Sequence, residues 1–140
     1  MLSAYPACFF KEQNGYSVIF PDLNYLATCG NSLDEALTMA VDCLAGYLYM
    51  LEKDRETAPA ASSMNQIDPK QVADELEISS DEMFVNIVTV DVTEYAKRHF
   101  EKSIKKTLTI PAWLNDAALA QGLNFSQILQ EALKAKLHLG

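Results

Sequence analysis

The stretch YSVIFPDLNYLATCGNSLDEALTMAVDCLAGYL, residues 16–48, changes its period along its length. "YSVIF" is a β-branched and aromatic run that Pro21 must end, because proline cannot donate to a ladder. "YLATC" is a second short run, broken at Gly30–Asn31. Ser32 then stands where its hydroxyl can cap a helix, and Glu35, three residues on, completes the spacing of a capping box. Asp34 and Glu35 also suit the positive end of a helix dipole. From there Leu33, Ala36, Leu37, Ala40, Val41, Leu44, Leu48 and Leu51 recur at helical spacing. Two strands are therefore expected, then a helix running to about Lys53 with one side laid on the sheet.

Upstream, "AYPACFFK" is another β-rich run, and Asn14–Gly15 signals a tight turn that makes it the first arm of a hairpin. Downstream, residues 55–69, "RETAPAASSMNQIDP", read as a loop. Asp68 is placed to cap a short helix with Pro69 at its first position. "MFVNIVTVDV" alternates Phe84, Asn86, Val88 and Val90 against Val85, Ile87 and Thr89. Both sets are partly apolar, the pattern of a strand inside a sheet. "TEYAKRHFEKS" then reads as a helix capped by Thr93. The expected order over residues 1–100 is β-β-β-α-loop-β-α, with no internal repeat.

The whole chain has 140 residues and a formal charge of −8. That length fits one domain, or one domain with a small appendage. No run approaches the roughly 20 apolar residues that span a bilayer. The first residues have neither a basic n-region nor a long apolar run, so no signal peptide is expected. The expectation is a soluble cytoplasmic protein with no membrane contact. Cys8, Cys29 and Cys43 are odd in number and lack C-x-x-C spacing, which argues against a disulfide framework or a zinc site. They are expected to be buried, reduced thiols, and no metal or other cofactor is expected.

Charge is unevenly spread. Residues 97–140 hold seven basic groups against three acids, a net of +4, while residues 1–96 hold four against sixteen, a net of −12. An acidic body with a basic tail suggests two partners of opposite charge.

The tail, residues 101–140, has its own pattern. In "IKKTLTIP" Ile104, Leu108 and Ile110 point one way and Lys105, Thr107 and Thr109 the other, with Lys106 on the apolar side. Pro111 ends this strand and opens a helix, "AWLNDAALAQ", that Gly122 is placed to close. Asn124 or Ser126 can cap a second helix whose stripe is Phe125, Ile128, Leu129, Ala132, Leu133 and Leu137. A unit of about 35 residues is too small to fold alone without a staple. It carries no cysteine pair or metal set, so pairing with a second copy is the remaining route. Two such strands, antiparallel, would bury Leu108 and Ile110 under four helices and present Lys105, Thr107 and Thr109 of both copies on one ribbon. Such a ribbon fits the major groove of DNA, and the helix start at Asn124–Ser126 can offer N–H groups to a phosphate.

These residues carry two resemblances. "KKTLTIPAWLNDAALAQGLNFSQILQEAL" resembles a ribbon-helix-helix domain, with "GLN" where "GLS" is common. "YSVIFPDLNYLATCGNSLDEALTMAVDCLAGYL" resembles the HicB antitoxin motif, near F-x-DLPGCxTxGxTxxEAlxNAxEAl. Phe20, Pro21, Asp22, Leu23, Thr28 or Cys29, Gly30, Ser32, Glu35, Ala36 and Leu37 fit it. "NYLATC" departs from it at the "PGC" element.

The resemblance implies an α+β protein. Residues 1–100 would form a partial ribonuclease-H-like domain that binds a small basic HicA-type toxin, an mRNA-cleaving protein. Residues 101–140 would form a ribbon-helix-helix homodimer, with room for higher-order assembly, that binds operator DNA and represses the operon. The implied DNA-binding residues are Lys105, Thr107, Thr109, Asn124 and Ser126. Candidate toxin contacts among the acids are Glu12, Asp22, Asp42 and Glu52, acting as mimics of RNA phosphate charge.

Two rival readings stand beside it. A nuclease would need carboxylates converging on metal ions. Glu12, Asp22 and Asp91 are the strand-borne candidates, nothing in their spacing clusters them, and neither His99 nor His138 has a nucleophile placed beside it. No enzymatic activity is expected. The other rival keeps DNA binding and makes the body a sensor of a small ligand.

Overall fold

β1 (Ser3–Glu12) and β2 (Gly15–Phe20) form the hairpin, with Glu12 opposite Gly15, so the loop is Gln13–Asn14. Positive φ falls on Gly15, at 118°, and not on Asn14. The turn thus places its glycine at the start of β2 instead of at its centre. The computed structural model describes residues 1–101 and 103–139 of the chain. It divides into two compact units, Met1–Lys102 and Ser103–Gly140.

After β2 a 3-10 turn, Pro21–Leu23, leads through Asn24 and Tyr25, both left-handed, into β3 (Leu26–Gly30). This is the element that departs from the antitoxin motif, and two successive non-glycine residues at positive φ are uncommon. Tyr25 is tied down by its hydroxyl, which donates to Glu75 at 2.7 Å. α1 (Leu33–Lys53) starts as expected, with the Ser32 hydroxyl accepting from the Glu35 N–H at 3.1 Å. α2 (Pro69–Glu75) starts under Asp68 with Pro69 first. β4 (Met83–Val90) precedes α3 (Val92–His99). Asp91, not Thr93, caps α3, because Val92 is already helical and the Asp91 carboxylate accepts from the Glu94 N–H at 3.2 Å.

The sheet is antiparallel throughout, in the order β3-β2-β1-β4. β4 is therefore an edge strand, against the expectation of an interior one. The two apolar faces arise because a different helix covers each side of the sheet. On one side Tyr5, Ala7, Phe9, Val18, Phe20, Val88 and Val90 pack with Ala36, Ala40, Leu44, Ala45 and Leu48 of α1. The sheet supplies the rings of Tyr5, Phe9 and Phe20, and the helix supplies three alanines and two leucines. On the other side Cys8, Phe10 and Ile19 meet Val72 and Ala73 of α2, with Ile67, Ile78, Met83 and Val85 around them.

Pro6 is fully buried in β1, a central strand. It is tolerated because the ladder with β2 begins only at Cys8, so no partner strand asks Pro6 for a donor on that side.

Cys8 is buried as expected, and burial pushes its thiol up to about 11, with Asp68 adding to the shift. Cys29 is exposed and Cys43 half-buried, a correction for both. β3 is the other edge strand, and Cys29 lies on it opposite Ser17 of β2.

In the second unit α4 (Ala112–Ala120) and α5 (Phe125–Lys136) are joined at Gly122, φ 65°. The Leu123 N–H donates to the Ala118 carbonyl at 3.1 Å and the Gly122 N–H to that of Leu119 at 3.0 Å, closing the end of α4. The strand expected around residues 104–110 forms no ladder here. A ladder needs a second strand, and the single chain supplies none at this place.

Candidate functional site

The four acids proposed to face a partner do not gather into one site. Glu12 ends β1 at the hairpin and accepts from the Ser17 hydroxyl. Asp22 lies past the far end of β2, in the 3-10 turn. Its two oxygens accept from the Ser62 N–H at 2.7 Å and the Ser62 hydroxyl at 2.8 Å. Together with the Tyr5 hydroxyl, which donates to the Pro59 carbonyl at 2.5 Å, Asp22 pins the 55–69 segment onto the sheet. That segment also carries a 3-10 turn, Met64–Gln66, with a capping box between Ser63 and Gln66. No local signal in "RETAPAASSMNQIDP" points to Asp22, 40 positions away, as its anchor.

Asp42, on α1, accepts from the Tyr95 hydroxyl at 2.8 Å. Burial first, and then this bond, push the Tyr95 phenol up to about 12. A phenol raised above its unfolded value adds stability that is complete below about pH 10 and is lost as pH rises through the folded value. Asp42→Asn is expected to lower this last phenolate transition without returning it to the ordinary range, since burial persists; alkaline absorbance titration reads it. Glu52 is exposed on α1. Asp22 and Asp42 thus hold bonds inside the unit, whereas Glu12 and Glu52 lie at its surface.

Glu12 and Asp22 sit at opposite ends of the sheet, so the carboxylates of the nuclease reading do not converge. Among the described residues no three His, Cys, Asp or Glu side chains are placed to hold a metal ion. His99 ends α3 and stacks on Tyr95, ring centroids 4.1 Å apart, while His138 lies past α5 with φ 58°. No described helix is long and apolar enough to cross a membrane.

In the second unit Lys105, Thr107 and Thr109 are exposed, and so are Ile104, Leu108 and Ile110. Asn124 caps α5, accepting from the Gln127 N–H at 3.1 Å, and the Ser126 hydroxyl accepts from Gln130 Nε2 at 3.2 Å. The Asn124 oxygen is spent on the helix. The N–H groups of Phe125 and Ser126, at the helix start, are those that helix geometry leaves over for an external acceptor. Trp113 is 71% exposed, and Leu119, Leu133 and Leu137 are each more than half exposed. Among the described residues of this unit none is buried.

The unit boundary also redraws the charge. Met1–Lys102 holds seven basic and seventeen acidic groups, a net of −10, and Ser103–Gly140 four against two, a net of +2. Lys97 and Arg98, counted with the tail in the sequence, belong to α3 of the first unit.

These features define a two-unit α+β protein whose candidate residues are not gathered into one site. Residues 5–132 match the family described as HicB-like antitoxin of bacterial toxin–antitoxin systems. The chain belongs to that family. It is 36% identical to a chain of a toxin–antitoxin complex from Streptococcus pneumoniae, covering 97% of this chain and 99% of that one, with a TM-score of 0.62. It is 34% identical over 62 residues to antitoxin HicB 2 of Photorhabdus laumondii subsp. laumondii, 44% of this chain and 45% of that protein. It is also 28% identical over 111 residues to an uncharacterised 14.9 kDa protein from the rep–hol intergenic region of Haemophilus phage HP1, covering 79% of this chain and 74% of that one.

Proposed function

We propose that this antitoxin neutralises a small basic HicA-type, mRNA-cleaving toxin through its first unit and represses its own operon through a dimer of its second. The observation that carries the reading is the second unit: basic, with its large apolar side chains uncovered, beside an acidic unit that has a complete core. The first unit's acid surplus suits a basic toxin, and complementary charge of this kind mainly speeds encounter and selects partners. The similarity to a chain of the Streptococcus complex supports a toxin partner.

In this reading residues 103–111 of two copies pair as an antiparallel ribbon and α4 and α5 of both cover its apolar side. Lys105, Thr107 and Thr109 then read the major groove, with the Phe125 and Ser126 N–H groups on a phosphate. Glu12 and Glu52 meet the toxin, while Asp22 and Asp42 hold the surface in shape.

Operator titrations test it. Thr107→Ala and Thr109→Ala are expected to relax sequence preference by about 1–3 kcal/mol per lost base contact. Lys105 can bond guanine O6 and N7, so Lys105→Ala is expected to relax preference at that base pair by about 1–3 kcal/mol. If all three leave operator binding unchanged, the ribbon assignment is wrong. Co-expression with any short basic reading frame found beside the gene tests the toxin arm, and failure to co-purify would sink that arm alone.

A further inference from the structure

One short turn holds the α2 layer of the first unit at both ends. In Pro21–Tyr25 the Asp22 carboxylate accepts from the Ser62 N–H and hydroxyl, and the Tyr25 hydroxyl donates to Glu75 at the end of α2. Between Ser62 and Glu75 lie Ile67, Val72 and Ala73, which pack on Cys8, Phe10 and Ile19 of the sheet. The turn itself is bent against preference, with φ of 59° at Asn24 and 58° at Tyr25. Asparagine tolerates that region, but for a bulky residue it is an outlier. Such a conformation persists where its surroundings hold it. The Tyr25 side chain is 42% exposed, so the bond to Glu75 holds it more than packing does.

The layer gripped by this turn has little hold of its own. α2 is seven residues long, shorter than helices that persist without tertiary support, and its buried residues are Val72 and Ala73. On the opposite face α1 runs for 21 residues and buries five. Local opening is drawn from the weaker of two such layers. Its boundaries are marked by bonds to the stable part. The Glu56 N–H donates to the Leu51 carbonyl of α1 at 2.8 Å, and the Ser80 hydroxyl donates to the Lys11 carbonyl of β1 at 2.6 Å.

We propose that the Pro21–Tyr25 turn is a two-jawed clamp, and that its release lets residues 57–78 lift from the sheet as one unit while β1–β4 and α1 stay folded. The open form uncovers Cys8, Phe10 and Ile19, a second apolar face that the closed form hides. Asp22 and Tyr25 thereby set how often that face is presented. Cys8 reports the opening. It is fully buried, and burial holds its thiol up at about 11, so an alkylating reagent meets a reactive Cys8 only when the layer has lifted.

Alkylation of the native full chain tests this, with Cys8 followed apart from Cys29 and Cys43 by peptide mass spectrometry. Asp22→Asn and Ser62→Ala are each expected to speed Cys8 labelling about tenfold, and Tyr25→Phe, which frees a more exposed bond, about threefold. In the parent chain the labelling rate should rise with urea on a slope well below that of global unfolding, because less surface is exposed. Asp42→Asn breaks a bond on the α1 side and is expected to leave the Cys8 rate unchanged, so it separates clamp release from general loss of stability. Cys8 labelling that carries the full global slope overturns the proposal. So does an Asp42→Asn rate that matches that of Asp22→Asn. A rate that answers to Asp22→Asn and not to Tyr25→Phe overturns the single unit, since the two jaws would then hold separate pieces.

Discussion

Gly30→Ala is expected to destabilise the first unit by about 3 kcal/mol, at the upper end of overpacking costs. A Cβ at Gly30 would lie 2.3 Å from the Ala36 nitrogen, 2.7 Å from the Glu35 carbonyl carbon and 2.8 Å from the Ala36 Cα. All three are backbone atoms of the first turn of α1, so no rotamer change relieves the contact. Relief requires the helix start to lift from β3, loosening the Ser32 cap and the packing of Ala36 and Ala40. Against a total stability of about 5–15 kcal/mol, such a loss is large. Urea denaturation should show a lower midpoint at unchanged slope. Gly46→Ala is the control: it sits within α1, the nearest neighbour of its added Cβ would be Phe100 Cζ at 3.9 Å, and it should gain about 0.5–1 kcal/mol. Equal midpoints for Gly30→Ala and the parent chain would show that α1 does not rest on β3 as described.

Leu108→Lys is expected to abolish specific operator binding, a loss of about a thousandfold or more as affinity falls to the non-specific level. Leu108 is 57% exposed in the single chain, and the second unit has no buried residue among those described. Under the proposed reading its core exists only between copies, so two lysines facing each other there cost both the dimer and the fold of the unit. The first unit has its own core and should keep its native denaturation profile and its toxin capture. Operator titration and toxin pull-down on the same protein separate these outcomes. Retained operator affinity would mean that Leu108 does not lie in the dimer core.

Much of the secondary structure was legible because its signals are local. Ser32 before a helical stripe, Asp68 followed by Pro69, and Gly122 after an apolar run each act within about one helical turn. Other features hid because they depend on contacts far along the chain. The alternation of "MFVNIVTV" shows that both faces of β4 meet apolar neighbours, but it cannot show whether a strand lies on each side. The Asp22 carboxylate looked free because its partner, Ser62, is 40 positions away. Asp42 looked free for the same reason, with Tyr95 53 positions away. Thr93 and Asp91 are both capable caps, and the choice fell where β4 released the chain.

Side-chain period, caps and breakers are properties of neighbouring residues, so the sequence was enough to determine which segments of the first unit become strands and helices, where most helices start, and that an acidic body precedes a basic tail. Strand order, the edge position of β4, the close backbone approach at Gly30, and the anchoring of residues 55–69 by Asp22 were decided only by the tertiary structure. Each depends on groups brought together by packing across the chain, and sequence spacing does not encode those distances.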